Sequence, residues 1–190
     1  MNILTDTLPH ELIICGKSCP IKNDFRTWIR VAGLINNMAF NDISVLNEIL
    51  KLVFFELPPR LVDAIAAILE FYNPKKGEGN CKAVGERKKV YDFYYDAELI
   101  YAAFWGQYNI DLSTRELHWW QFKTLFDNLS EETQFIKVVG YRSVNLETIK
   151  DKEQKKFYRR MKRIYKLPDN RTEEQKEQDM VDTLTGCFFG

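Results

Sequence analysis

With 190 residues, 45% of them hydrophobic and 14% aromatic, the chain can bury the core of one domain, or of one with a small satellite, and rings carry much of its packing energy. Its 27 lysines and arginines balance 27 aspartates and glutamates, which argues against a wholesale nucleic-acid coat. No run approaches the roughly 20 apolar residues of a membrane span, Asp6, His10 and Glu11 interrupt any leader-like start, and four scattered cysteines form no disulfide framework, so a cytoplasmic chain with free thiols and no membrane contact is expected.

In chain order, residues 11–15 and 18–21 read as short strands flanking Gly16-Lys17, a β-hairpin with Pro20 on an edge. The segment NDFRTWIRVAGLI follows. Asn23 or Asp24 can cap it, and Phe25, Trp28, Ile29, Ala32 and Ile35 share one helical stripe. Residues 44–54 read as a second helix. Pro58-Pro59 opens a third, with Leu61, Ile65, Ile68, Leu69 and Tyr72 at helical spacing until Asn73-Pro74 stops it. Residues 73–89 hold three glycines and six lysines or arginines with almost no large apolar side chain. They predict a flexible linker or loop between an N-terminal unit, residues 1–72, and an aromatic-rich helical unit, residues 90–168.

The second unit opens on a predicted helix near residues 92–108, with Phe93, Ala97, Ile100, Tyr101, Phe104 and Tyr108 on one face and a turn at Asn109. Ser113 or Thr114 can cap the next helix, in which Leu117, Trp119 or Trp120, Phe122, Leu125, Phe126 and Leu129 form a wide apolar face. Phe104 and Trp120 are expected in the core. A further helix should begin near Ser130 and end at Gly140. Residues 151–166 predict a basic helix with Phe157, Met161 and Ile164 on a narrow stripe and Tyr158 and Tyr165 beside it. Between residues 150 and 166, nine lysines or arginines face two acids. Residues 169–190 are acidic and polar up to an apolar tip, the pattern of a weak helix or mobile tail. The fold class that results is mainly α, a helical bundle with a short N-terminal β-hairpin.

Few residues have the spacing of chemistry. His118, beside two tryptophans, reads as a packed residue rather than a catalyst. Cys15 and Cys19 are at most half a zinc site, since Cys81, Cys187, His10 and His118 supply no recognisable second pair, and two reduced thiols are expected instead. Asp92 and Asp96 lie four residues apart at a predicted helix start, where negative charge suits the macrodipole. GEGNCKAVG lacks the ending of a phosphate-binding loop. No catalytic residue, cofactor or metal is therefore expected, and an enzyme is the least favoured class; it would need a pocket joining His118 to Asp92 or Asp111. The basic helix has three readings: a solvated face, a surface for a protein partner or a second copy, and a nucleic-acid grip. Its candidate partner surface is Phe157, Arg159, Arg160, Met161, Arg163 and Ile164.

The runs DFYYDAELIYAAFWGQYNIDL, LHWWQFKTLFDNL and VGYRS, with the earlier NDFRTWI, resemble the bacteriophage gene-product-fifteen family of long-tailed phages and prophages. The resemblance covers most of residues 10–165, and its most specific piece is Leu117-His118-Trp119-Trp120 with Phe122, preceded by Ile110-Asp111-Leu112. The chain departs from the family pattern at Asn109 and Asn128, where glycine is usual; asparagine tolerates a left-handed backbone, so both helix ends should survive. Genes of this family tend to lie between those of the major tail protein and the tape-measure protein. The resemblance thus implies a non-enzymatic tail assembly factor in the host bacterial cytoplasm, a chaperone that solubilises the tape-measure protein and recruits major tail protein. The alternative is a nucleic-acid-binding phage protein using the basic helix at 151–166.

Overall fold

A computed structural model describes residues 2–37, 43–73 and 90–168. Among these, two strands, β1 (Glu11–Ile14) and β2 (Lys17–Pro20), precede seven helices: α1 (Phe25–Asn37), α2 (Ile43–Val53), α3 (Leu61–Tyr72), α4 (Ala97–Tyr108), α5 (Trp119–Asp127), α6 (Gln134–Ser143) and α7 (Lys152–Ile164). The expected class, mainly helical with an N-terminal hairpin, is the one observed. The linker expected at 73–89, apart from Asn73, and the tail at 169–190 lie outside the described residues.

The strands pair antiparallel, with Ile14 opposite Lys17, so the hairpin loop is Cys15-Gly16 rather than Gly16-Lys17. Both loop residues have positive φ, 52° and 76°. Positive φ at both positions is the pattern of a type I′ loop, which matches the right-handed twist of its strands and favours glycine in the second place.

Three helix starts differ from expectation because a side chain ties up the backbone first. Asp92 Oδ1 accepts the N–H groups of Tyr94 and Tyr95, holding residues 92–96 in a turn, and α4 begins at Ala97 rather than Asp92. His118, not Ser113 or Thr114, caps α5: Nδ1 accepts the Trp120 N–H at 3.1 Å, and Gln121 returns the bond to the His118 N–H at 3.1 Å. Thr133 caps α6, which runs through Gly140 to Ser143. Gly140 therefore ends no helix, and a Cβ added there would meet nothing within 4 Å. Asn109 takes the expected left-handed conformation at φ 54°, ψ 37°, and its N–H bonds to Trp105 while that of Ile110 reaches back to Phe104. Asn128 does not. Its φ is −111°, open to any L-residue, so glycine has no conformational advantage there.

The two halves of the chain share one core. Phe122 of α5 lies at its centre, stacked on Phe25 of α1 at 4.8 Å and on Phe104 of α4 at 5.1 Å between ring centroids. Backbone bonds fasten the same junction: Phe25 N–H to Leu117 O at 3.0 Å, and Trp119 N–H to Asn23 O at 2.8 Å. The tandem tryptophans add a third tie. Trp119 donates its indole N–H to Tyr72 O at 2.9 Å and Trp120 donates to Phe71 O at 2.8 Å, filling carbonyls that the last turn of α3 leaves without helical partners. Trp119 is the fully buried member and Trp120 is only half-buried, the reverse of the expectation for Trp120, whereas Phe104 is fully buried as expected. No helix among the described residues is long and apolar enough to cross a membrane.

Candidate functional site

The polar centre of the described structure is Arg142 on α6. Its guanidinium makes two bonds to Asp96, at 2.6 and 2.8 Å, with both side chains almost wholly removed from solvent. The remaining donors reach Val90 O at 3.2 Å and Tyr165 O at 2.6 Å, while Asp96 also accepts the Asp92 N–H at 3.0 Å. One cation therefore joins the start of the second half, the turn before α4, α6 and the end of α7. Asp92 fits its expected capping role. Asp96 does not: its carboxylate is half of a buried ion pair with a residue 46 positions away.

Arg142 and its neighbour Tyr141 also seat α7. The Tyr141 ring stacks on Tyr165 at 5.8 Å and meets Phe157 at 6.0 Å and Tyr158 at 6.2 Å, and Gln134 donates to the Tyr165 hydroxyl at 3.2 Å. Tyr158, Met161 and Tyr165 form the half-buried inner side of α7, so the packing stripe is turned from the expected Phe157, Met161 and Ile164. Phe157 remains 47% exposed and Ile164 53% exposed, flanked by exposed Arg159, Arg160 and Arg163. Asp151 caps the helix by accepting the Gln154 N–H at 2.6 Å.

A second surface feature is an apolar groove of about 410 Å³ lined by Ile29, Phe93, Ile100, Leu112 and Phe122, with Glu98 at its side. Arg26 holds one wall in place. It donates to the carbonyls of Leu112, Ser113 and Arg115 at 2.8 to 3.3 Å while paired with Asp24 at 3.1 Å. Tyr101 and Ser113 donate to Asp111, which keeps that carboxyl below the usual carboxylate range, the Ser113 bonds contributing most.

His118 faces the other way. With Nδ1 accepting from Trp120, the ring proton sits on Nε2 and is donated to Pro9 O at 3.0 Å. Burial holds its pKa below the ordinary value, a nearby His10 adds to that, and the Pro9 carbonyl opposes it. As pH falls below about 6.5, the unfolded chain takes up a proton at this position that the folded chain resists, so stability falls with pH across that window until the folded histidine itself protonates. His118→Asn keeps a capping oxygen but cannot titrate. Denaturant midpoints of the variant, taken on the two sides of that window, should lie closer together than those of the parent chain; an unchanged gap would assign the pH dependence to other groups.

The remaining candidates are dispersed. Cys15 is exposed and donates its thiol to Asp63 at 2.9 Å, a bond to a carboxylate that, with some burial, pushes the thiol pKa up; Cys19 is buried and free. Among the described residues no three histidine, cysteine, aspartate or glutamate side chains gather as a metal would require, and Cys81 and Cys187 lie outside them.

Among the described residues these features define a mainly helical protein with an aromatic core, a buried ionic junction and a cationic helix packed on α6. A family described as Bacteriophage Gp15 protein matches residues 4–167, and the chain belongs to it. No curated protein and no solved structure matches the chain.

Proposed function

We propose that this phage protein is a non-enzymatic tail assembly factor that acts in the host cytoplasm as a chaperone for the tape-measure protein and recruits major tail protein. Family membership supports a phage role, and the observation that carries the finer reading is the outer side of α7. There Phe157 and Ile164 stand exposed among Arg159, Arg160 and Arg163 on a helix held rigidly from behind by tyrosine rings. Such a surface suits an amphipathic helix with acidic flanks: the apolar side chains supply contact area and the arginines fix register. A tape-measure protein presents helical stripes repeatedly along its length, so several weak contacts would add up to firm coating.

Co-expression of the whole chain with overlapping tape-measure fragments, followed by affinity capture, tests this. Capture should fall by about tenfold in the R159E/R160E/R163E variant while its thermal unfolding stays near that of the parent, because exposed substitutions usually change stability within about 0.5 kcal/mol. Failure to capture any fragment, or capture indifferent to the three reversals, would reject the assignment. The same arginines could instead hold phosphates; a mobility shift on DNA or RNA that weakens steeply with salt would replace the chaperone reading with the nucleic-acid one.

A further inference from the structure

α4 is apolar around most of its circumference. Its sequence, AELIYAAFWGQY, has Glu98 as its one charged residue, and while Ile100, Ala103 and Phe104 are buried, Ala97, Tyr101 and Trp105 are exposed. A helix of that composition is ordinarily covered on every face. Ala97 and Tyr101 belong to the wall of the apolar groove of about 410 Å³. The rim of this groove is acidic: Glu98 lines it, and Asp111 accepts bonds from two more of its lining residues, Tyr101 at 3.2 Å and Ser113 at 2.6 Å, which favour the charged carboxylate. Arg26, bonded to the Leu112 wall, adds little opposing charge, because Asp24 pairs with it and its other bonds go to three carbonyls. The opposite chemistry is found on α7. Phe157, Arg160 and Ile164 follow one another at steps of three and four, an exposed stripe about 10 Å long, with Arg159 and Arg163 exposed beside it. The inner side of α7 is held on Tyr141 of α6, and no α7 residue lines the groove.

We propose that the groove is the docking site for α7 of a second copy of this chain, with Phe157 entering the groove and Arg160 and Arg163 meeting Glu98 and Asp111. Charge complementarity selects this occupant: an acidic rim around an apolar floor faces an apolar stripe set among arginines. Arginine also suits the rest of the rim, where the exposed rings of Tyr101 and Trp105 stack at 6.3 Å and offer a guanidinium their faces. Because groove and helix are different surfaces, the contact is head-to-tail. Each copy in a row keeps one of the two surfaces for the next, so association runs on into a ring or a filament rather than stopping at a pair. The contact does not rest on the chaperone reading, but if both hold, neighbouring copies and the tape-measure helix compete for α7.

Sedimentation velocity on the full chain, with no partner present, tests this. The mass should rise with concentration beyond that of two chains. F157S/R160E on α7 and A97W in the groove should each stay monomeric where the parent associates, with thermal midpoints near the parent's. Mixed in equal amounts, these two variants should form a two-chain species that grows no further, since one intact groove and one intact helix remain to meet. Charge exchange gives a gentler second probe: E98R should weaken association several-fold, and E98R/R160E in one chain should restore much of it. A parent chain that stays monomeric up to about 1 mM, or one that stops at two chains, would overturn the proposal. So would self-association that survives both F157S/R160E and A97W, or a mixture of the two that stays monomeric. If the parent is monomeric and A97W instead abolishes capture of tape-measure fragments, the groove belongs to that partner and not to a second copy. Failure of self-association leaves the chaperone reading standing, because A97W leaves α7 intact.

Discussion

Arg142→Met is expected to lower the unfolding free energy by about 3–5 kcal/mol, measured by denaturant titration, because it leaves the Asp96 carboxylate charged, buried and without its cation. The loss has a structural address. Arg142 donates to Asp96, Val90 O and Tyr165 O at once, so its removal releases the turn before α4 and the end of α7 together. A double-mutant cycle separates the two sources of the effect. Asp96→Leu combined with Arg142→Met should be less destabilised than Arg142→Met alone, since no stranded charge remains. A double variant at least as unstable as the sum of the singles would mean that the pair itself, rather than the orphaned carboxylate, supplies the energy. The accompanying loss of the bonds to the Asp92 N–H, Val90 O and Tyr165 O sets a floor on the double variant of roughly 1 kcal/mol per bond.

Phe122→Ala should cost about 3–5 kcal/mol, the range for deleting a fully buried ring from a core that cannot close over the void. Its effect should exceed that of Trp120→Ala, although both residues sit on α5. The Phe122 ring is in stacking range of Phe25, Phe104, Trp119 and Phe126, so its loss opens contacts to α1 and α4 at once, whereas Trp120 keeps one side toward solvent. Thermal unfolding of the two variants checks the order. Equal shifts in midpoint would place the centre of the core elsewhere on α5.

These two residues also mark what periodicity reveals and what it does not. Phe122 was legible: its place on the apolar stripe of a predicted helix is a local property, and the helix formed. The hairpin and all seven helices were visible for the same reason. Helix starts were not, wherever a neighbouring side chain competed for the backbone, as Asp92, His118 and Thr133 do before α4, α5 and α6. The pairing of Asp96 with Arg142 was invisible because it depends on how α6 crosses the turn before α4, and nothing within either segment encodes a partner 46 positions away. On α7 the face is turned from the expected stripe: five of the six candidate partner-surface residues are exposed while Met161 faces inward, because the tyrosines at 158 and 165 lie half-buried beside the ring of Tyr141, whereas Phe157 meets that ring edge-on and stays half exposed.

The indole bonds at the end of α3 bear on how the chain tolerates change. Since Trp119 and Trp120 grip the carbonyls of Tyr72 and Phe71 from the side, the relative position of the halves is set by lateral contacts and not by the covalent path between residues 73 and 90.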